Sequence, residues 1–184
     1  PAPNPDYPQT INTVTGRQVV TISDGGSQSQ EYEVNLGKNL LSSNSLAVTT
    51  NNGITFTPFY EDGRLLYIIA NGTATANASY SIGDISVETG KAYTISGSEN
   101  GSGSTYRIWG NSSTAFPSGN RLVSENGATT RIATADETFS PYIQVLSGTT
   151  VNNIRFYPQI ELGSTATTYA PYISHFGKNL LDIQ

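Results

Sequence analysis

The residues that could carry nucleophilic catalysis are few in this chain. Of its 184 residues one is histidine, His175, and none is cysteine. A serine or cysteine nucleophile needs an adjacent base, and no Gly-x-Ser-x-Gly turn is present to expose a serine. Without cysteine there is no thiolate nucleophile, thiolate zinc site or disulfide framework, and one histidine cannot form a multi-histidine metal site. The sequence therefore predicts a protein that is not an enzyme.

The acidic residues offer no stronger case for catalysis. A glycosidase would need two carboxylates flanking one bond, but many of the 14 Asp and Glu stand beside Gly or Asn, as in Glu61-Asp62-Gly63. We interpret these as solvated turns. No EF-hand pattern or phosphate-binding loop occurs. We predict no cofactor and no catalytic metal, and although loop carboxylates would suit a structural calcium ion, nothing in the sequence specifies one.

Charge and hydropathy narrow the range of partners. The formal net charge is −5, with only 9 Lys and Arg, which argues against nucleic acid because phosphate neutralisation needs clustered basic charge. No run approaches about 18 apolar residues, so we predict no membrane insertion. Charged residues make up 12% of the chain, so Ser, Thr, Asn, Gln and Gly must cover much of its surface.

Strand alternation indicates a ligand-binding face. Successive side chains of a strand point to opposite faces, so if Ile108 faces the core, Arg107 and Trp109 face away. By the same argument Tyr142 and Gln144 face away from the core on a second run. On a third run, 151–162, Arg155, Tyr157, Gln159 and Glu161 face away.

Saccharides need this mixture of side chains, because their C–H faces pack on aromatic rings while their hydroxyls take amide, guanidinium or carboxylate partners. Tyr60, beside the Glu61-Asp62-Gly63 turn, is a further candidate at the rim. Tyr, Trp and Arg are also enriched in subunit interfaces, so the same face would suit a second sheet or another subunit. The candidate saccharide-binding residues are Tyr60, Arg107, Trp109, Tyr142, Gln144, Arg155, Tyr157 and Gln159.

The elements that must position these residues are short strands. Gly, Asn and Ser separate the β-rich runs, and no helical spacing of apolar residues extends over three turns. This pattern predicts an all-β, antiparallel β-sandwich. The predicted strands cover 53–60, 65–70, 92–97, 105–110, 129–133, 138–146 and 151–162.

The N-terminal part differs from this module. Four prolines within residues 1–10 indicate an extended linker, which we assign to 1–16. Two alternating runs around Gly25-Gly26 predict a β-hairpin over 17–36. The pentapeptide Gly37-Lys38-Asn39-Leu40-Leu41 recurs unchanged at 177–181. We interpret each copy as the opening of a module, which assigns 37–176 to the β-sandwich and 177–184 to the start of a following module.

Several segments resemble proteins of known type. Pro5-Asp6-Tyr7-Pro8-Gln9 and the hairpin that leads into residues 37–41 resemble tail and baseplate proteins of siphophages that infect Gram-positive bacteria. The segment 156–172, with 72–76 and 91–97, resembles carbohydrate-binding-like jelly rolls of such phage proteins. The family's sugar contacts do not form a fixed motif, so no binding residue is carried over.

The resemblance implies a jelly-roll sandwich without catalytic activity, located in the phage tail of an extracellular virion. It further implies a homo-oligomeric assembly with other tail or baseplate subunits, and adhesion to host cell-wall polysaccharide or another glycan. One alternative is a structural spacer or assembly module of the tail. Another is an ancillary glycan-binding domain of a secreted bacterial enzyme or adhesin.

Overall fold

The computed structural model describes residues 16–23, 29–36, 38–42, 45–98, 100–110 and 113–172. The proline-rich segment, His175 and the second copy of the pentapeptide lie outside the described residues. The chain divides into two compact units, residues 1–36 and 37–184.

The first unit contains the predicted hairpin. Strand β1 (Gly16–Ser23) pairs antiparallel with β2 (Ser29–Leu36) in an unbroken register from Gly16 opposite Leu36 to Ser23 opposite Ser29. The hairpin prediction is therefore confirmed.

The second unit contains thirteen strands, all paired antiparallel, and a single 3-10 turn (Ser118–Asn120) among its described residues. The prediction of an all-β, antiparallel sandwich is confirmed. The strands are β3 (Thr49–Asn51), β4 (Ile54–Glu61), β5 (Arg64–Thr73), β6 (Ala78–Ser81), β7 (Ile85–Val87), β8 (Ala92–Ser96), β9 (Tyr106–Gly110), β10 (Val123–Ser124), β11 (Thr129–Ile132), β12 (Glu137–Phe139), β13 (Pro141–Val145), β14 (Thr150–Phe156) and β15 (Gln159–Leu162).

Two four-stranded sheets form the layers of the sandwich. Their strand orders are β14-β5-β4-β3, here the first sheet, and β10-β9-β13-β6, here the second sheet. Phe56 of β4 stacks on Tyr80 of β6 at 5.0 Å between ring centroids, and Tyr106 of β9 meets Phe156 of β14 edge to face at 5.5 Å. Because each pair joins the two sheets, their inner faces pack against each other across one hydrophobic core.

A three-stranded sheet, β11-β8-β15, and the pair β12-β7 complete the second unit. Phe116, which is fully buried, lies between these elements and contacts the rings of Tyr93 and Phe139 at 6.1 and 5.0 Å. Aromatic packing thus continues the core beyond the two large sheets.

The predicted strand over 151–162 is two strands. β14 ends at Phe156, and after Tyr157-Pro158 the chain enters β15, which pairs with β8 instead of β5. Proline has no N–H to donate to a ladder, so Pro158 favours the end of one pairing and the start of another. The alternation of faces along β14 therefore does not continue into β15.

A buried amide joins the beginning of the second unit to its end. The side chain of Asn39 is almost fully buried, and its Nδ2 donates to the carbonyl oxygens of Pro158 at 3.0 Å and Ala170 at 3.2 Å. Its Oδ1 accepts from the backbone N–H of Leu41 at 3.1 Å and of Ile160 at 3.2 Å. All four hydrogen-bonding positions of the amide are thus used, as a buried amide requires.

Two further buried polar side chains continue this network. Gln159 Nε2 donates to Glu161 Oε2 at 2.7 Å and to the Thr167 carbonyl at 3.2 Å, while its Oε1 accepts from the Ala170 N–H at 2.8 Å. Glu161 also accepts from the Thr167 N–H at 3.0 Å and from its hydroxyl. We call Asn39, Gln159 and Glu161 the polar clamp.

Replacing the central amide of the clamp should destabilise the fold. Asn39→Ala leaves two buried carbonyls and two N–H groups without this partner, so we expect a loss of about 3 kcal/mol in the free energy of unfolding. Urea unfolding of the whole chain measures it. Asn126→Ala, at an exposed position, is the matched control and should change the free energy by less than about 0.5 kcal/mol. Equal stability of the two variants would contradict the role of Asn39.

The core should also lose stability at alkaline pH. The Tyr80 hydroxyl donates to the Ala47 carbonyl at 2.7 Å, and burial, followed by the charge of Tyr60, raises the pKa of Tyr80 to about 12 from 10.0. Its stabilising contribution is complete below pH about 10 and is lost as the pH rises towards about 12, because the unfolded chain releases the proton first. We expect the melting temperature to fall over this range, and less steeply in Tyr80→Phe. An equally steep fall in that variant would contradict this assignment.

Candidate functional site

The residues predicted for the binding face lie on two sheets instead of one. Arg107 and Trp109 on β9 stand opposite Gln144 and Tyr142 on β13, in the second sheet. Arg155 belongs to β14 of the first sheet, and Tyr157 follows that strand directly. Since the inner faces of these sheets pack together, the two groups lie on opposite sides of the sandwich.

The group on the second sheet is held together by Arg107. Its Nε and Nη2 both donate to Gln144 Oε1, at 3.2 and 2.9 Å, and its Nη1 donates to Glu125 Oε1 at 3.4 Å. The guanidinium carbon lies 3.9 Å from the ring centroid of Trp109, within the range of a cation–π contact. These contacts fix the guanidinium against the indole.

A second guanidinium and a phenol ring enclose the same indole. The guanidinium carbon of Arg121 lies 5.1 Å from the Trp109 centroid, and the ring of Tyr142 meets the indole edge to face at 5.6 Å. Trp109 is consequently only 8% exposed, which leaves little of its ring for a sugar to stack on. We call Arg107, Trp109, Arg121, Tyr142 and Gln144 the indole cluster.

Burial and the neighbouring charges have opposite effects on the pKa of Tyr142 in the indole cluster. Burial raises the pKa of Tyr142, while the positive charges of Arg107 and Arg121 lower it by a smaller amount. Strand alternation did not identify Arg121, because it stands between the 3-10 turn and β10, outside any strand. Alternation predicts the direction of a side chain only within a strand, so it says nothing about a residue in a loop.

The group on the first sheet is a row of aromatic rings on its outer face. Phe59 of β4 stacks on Tyr67 of β5 at 5.0 Å, Tyr67 contacts Tyr157 at 6.0 Å, and Tyr157 contacts Tyr169 at 5.5 Å. We call these four residues the aromatic row. The Arg155 guanidinium carbon lies 4.7 Å from the Tyr67 ring centroid. Phe59 is 38% exposed and Arg155 is exposed, whereas the three tyrosines are partly buried, so the row is open to a ligand chiefly at its Phe59 end.

Backbone contacts fix Tyr157 and Tyr169, the two members of the row that do not belong to a strand. Gly97 has φ +104°, and a Cβ there would lie 1.9 Å from the Tyr157 carbonyl oxygen, so only glycine permits this approach. The Tyr157 N–H donates to the Gly97 carbonyl at 3.0 Å. The Tyr169 hydroxyl donates to the Leu65 carbonyl at 2.7 Å, and burial, followed by the neighbouring Tyr157, raises the Tyr169 pKa.

Sequence reasoning missed three members of the aromatic row. Tyr67 stands in Leu65–Ala70, a run that is apolar on both faces and therefore shows no alternation. Phe59 precedes a register shift between Phe59 and Tyr60, and Tyr169 follows the last strand. The spacing of aromatic residues in the β4–β5 hairpin is the signal that could have identified the first two, since Phe59 stands opposite Tyr67.

The outward orientation predicted for Gln159 and Glu161 is wrong. Gln159 is fully buried and Glu161 nearly so, because residues 163–170 cover β15 and both side chains belong to the polar clamp. The mistake arose from continuing the alternation of 151–156 across Tyr157-Pro158.

Tyr60 lies at a hairpin end but is half-buried. Its hydroxyl accepts from the Leu46 N–H at 2.6 Å and donates to the Leu46 carbonyl at 3.4 Å. Burial raises its pKa, and the hydrogen bond from the Leu46 backbone lowers it by a smaller amount. The hydroxyl of Tyr60 thus holds the segment before β3.

Comparisons with protein-family models, with curated proteins and with solved structures each return no match to this chain. Within the described ranges, no three His, Cys, Asp or Glu side chains are grouped so that they could hold a metal ion. The same residues include no helix that is long and apolar enough to cross a membrane.

Proposed function

We propose that residues 37–176 form a non-catalytic glycan-binding module, which a phage tail or baseplate uses to attach to saccharide on the host cell surface. The observation that carries the proposal is the aromatic row on the outer face of the first sheet. The phage assignment rests on the resemblance of the proline-rich and closing segments to tail proteins.

The chemistry of the row suits a sugar chain. Pyranose rings carry C–H groups that pack on aromatic rings, and the exposed edge of Phe59 and the ring of Tyr67 provide such a surface. Tyr67, Ile69 and Asn71 share one face of β5 by alternation, so polar and apolar groups stand side by side. The exposed guanidinium of Arg155 and the exposed amide of Asn71 supply donors for sugar hydroxyls.

The rigidity of the row favours binding. Pairing of β4 with β5 and of β5 with β14 fixes the backbone under Phe59, Tyr67 and Arg155. Aromatic side chains have only two rotatable bonds, so little conformational entropy is lost when a ligand orders them. An open face of this kind binds weakly, and copies in an oligomeric tail would raise the avidity through effective concentration without any new contact.

The same surface would suit a subunit contact, so the test must separate the two roles. We expect the whole chain to bind purified cell-wall polysaccharide of a Gram-positive host in isothermal titration. Phe59→Ala and Tyr67→Ala should each lower the affinity about tenfold, because each removes one stacking ring.

Ile132→Ala, at an exposed apolar position on β11 outside both groups, is the matched control and should leave the affinity for the polysaccharide unchanged. Phe59 is the more exposed of the two test positions, so Phe59→Ala keeps the experiment informative if Tyr67→Ala does not fold. Absence of binding to every host polysaccharide, together with normal adsorption of virions that lack the module, would overturn the proposal in favour of a structural spacer.

A further inference from the structure

Two buried N–H donors of the indole cluster have no hydrogen-bond partner. They are Nε1 of Trp109 and Nε of Arg121, each without a partner among the described residues. A buried donor left unpaired costs free energy, and native proteins rarely leave one so. Here two of them belong to side chains in contact with each other, at 5.1 Å from the guanidinium carbon to the ring centroid.

The positive charge of Arg121, which carries one of these two donors, is also not balanced by a carboxylate of the described residues. Arg107 has Glu125 as an ion-pair partner at 3.4 Å, whereas Arg121 makes no ion pair and no side-chain hydrogen bond within the described ranges. Two guanidinium groups therefore contact one indole, and the one carboxylate among these contacts, that of Glu125, pairs with Arg107. A negatively charged hydrogen-bond acceptor would satisfy both unpaired N–H groups and neutralise Arg121.

We propose that the indole cluster is a second binding site, which takes an oxyanion, a carboxylate or phosphate group of a ligand, between Arg121 and the indole N–H of Trp109. One oxygen accepts from Arg121 Nε and another from Trp109 Nε1, so the anion satisfies both donors and neutralises Arg121. The site lies on the opposite side of the sandwich from the aromatic row and does not depend on its function.

Access to the indole N–H requires movement of Arg121. This side chain is partly exposed, follows the 3-10 turn Ser118–Asn120, and contacts the indole through its guanidinium. In the proposed binding step, rotation of its flexible stem uncovers the indole N–H. Ser81 and Ser79, exposed opposite Tyr142 and Gln144 in the register, leave space for the remainder of the ligand.

The chain's single tryptophan makes the site directly observable. Its indole N–H gives one resonance in a ¹H–¹⁵N correlation spectrum, so any shift reports on Trp109. We would titrate the whole chain with D-glucuronate and with glycerol phosphate, using D-glucose as the neutral match and sodium chloride at equal ionic strength. We expect both anions to shift the indole resonance saturably, while glucose and chloride do not. The anion with the lower Kd then distinguishes a carboxylate source from a phosphate source.

Variants separate specific binding from general attraction. Arg121→Gln should weaken anion binding about tenfold through loss of a charge-assisted hydrogen bond. Glu125→Gln should strengthen it, because without this carboxylate the positive charge of Arg107, which contacts the same indole, is no longer neutralised. Arg155→Gln, which removes the same charge on the other sheet, is the matched control and should leave the indole titration unchanged.

Several results would overturn the proposal. They are an indole shift that chloride reproduces, a Kd that Arg121→Gln does not change, and absence of a saturable shift with either anion. None of these results bears on polysaccharide binding by the aromatic row, since Phe59→Ala and Tyr67→Ala test that function separately. Conversely, loss of the proposed glycan binding would leave the indole titration intact.

Discussion

The polar clamp determines much of what the second unit can present on its surface. Asn39 holds the carbonyls of Pro158 and Ala170 with a single amide group, and these residues are the immediate neighbours of Tyr157 and Tyr169. Half of the aromatic row therefore takes its position from a buried side chain near the beginning of the module. Residues 163–172 form no strand, so side-chain hydrogen bonds position this segment in place of a regular backbone ladder.

This role explains the pentapeptide at residues 37–41 in physical terms. Asn39 occupies the clamp, Leu41 is fully buried in the core, and the Leu40 N–H donates to the Ile160 carbonyl at 2.8 Å. Lys38 donates to the Thr167 hydroxyl. Four of the five residues thus have a structural task in joining the two ends of the module. The identical segment at 177–181 would suit the same task in a further module, and tandem modules, predicted from this repeat, stay a prediction.

The sequence was informative where neighbouring strands pair in register. Alternation placed Arg107, Trp109, Tyr142 and Gln144 on a common face, and the pairing of β9 with β13 brings them together, although Trp109 and Gln144 are themselves buried there. It gave no guidance in β5, which is apolar on both faces, and it misled at β15, where residues 163–170 cover the outer face. Alternation within a strand does not reveal which sheet the strand joins or which loop covers it. Both depend on contacts between residues far apart in the chain, such as the pairing of Gln159 with Ser96.

The separation of the two surfaces follows from the same topology. After β14, the break at Pro158 sends the chain to β8, so Tyr157 remains beside Tyr67 while Gln159 passes into the interior. The first sheet can then expose rings with one guanidinium, Arg155, whereas the second gathers two guanidiniums around a covered indole. An open row of rings favours neutral, C–H-rich ligands, since stacking needs accessible ring surface. A covered indole with unpaired donors favours a charged acceptor, since only an anion offsets the desolvation of two N–H groups and an unpaired charge together. In a chain of net charge −5, an anion is drawn only to a locally basic position, and Arg121 is such a position because no carboxylate of the described residues neutralises it.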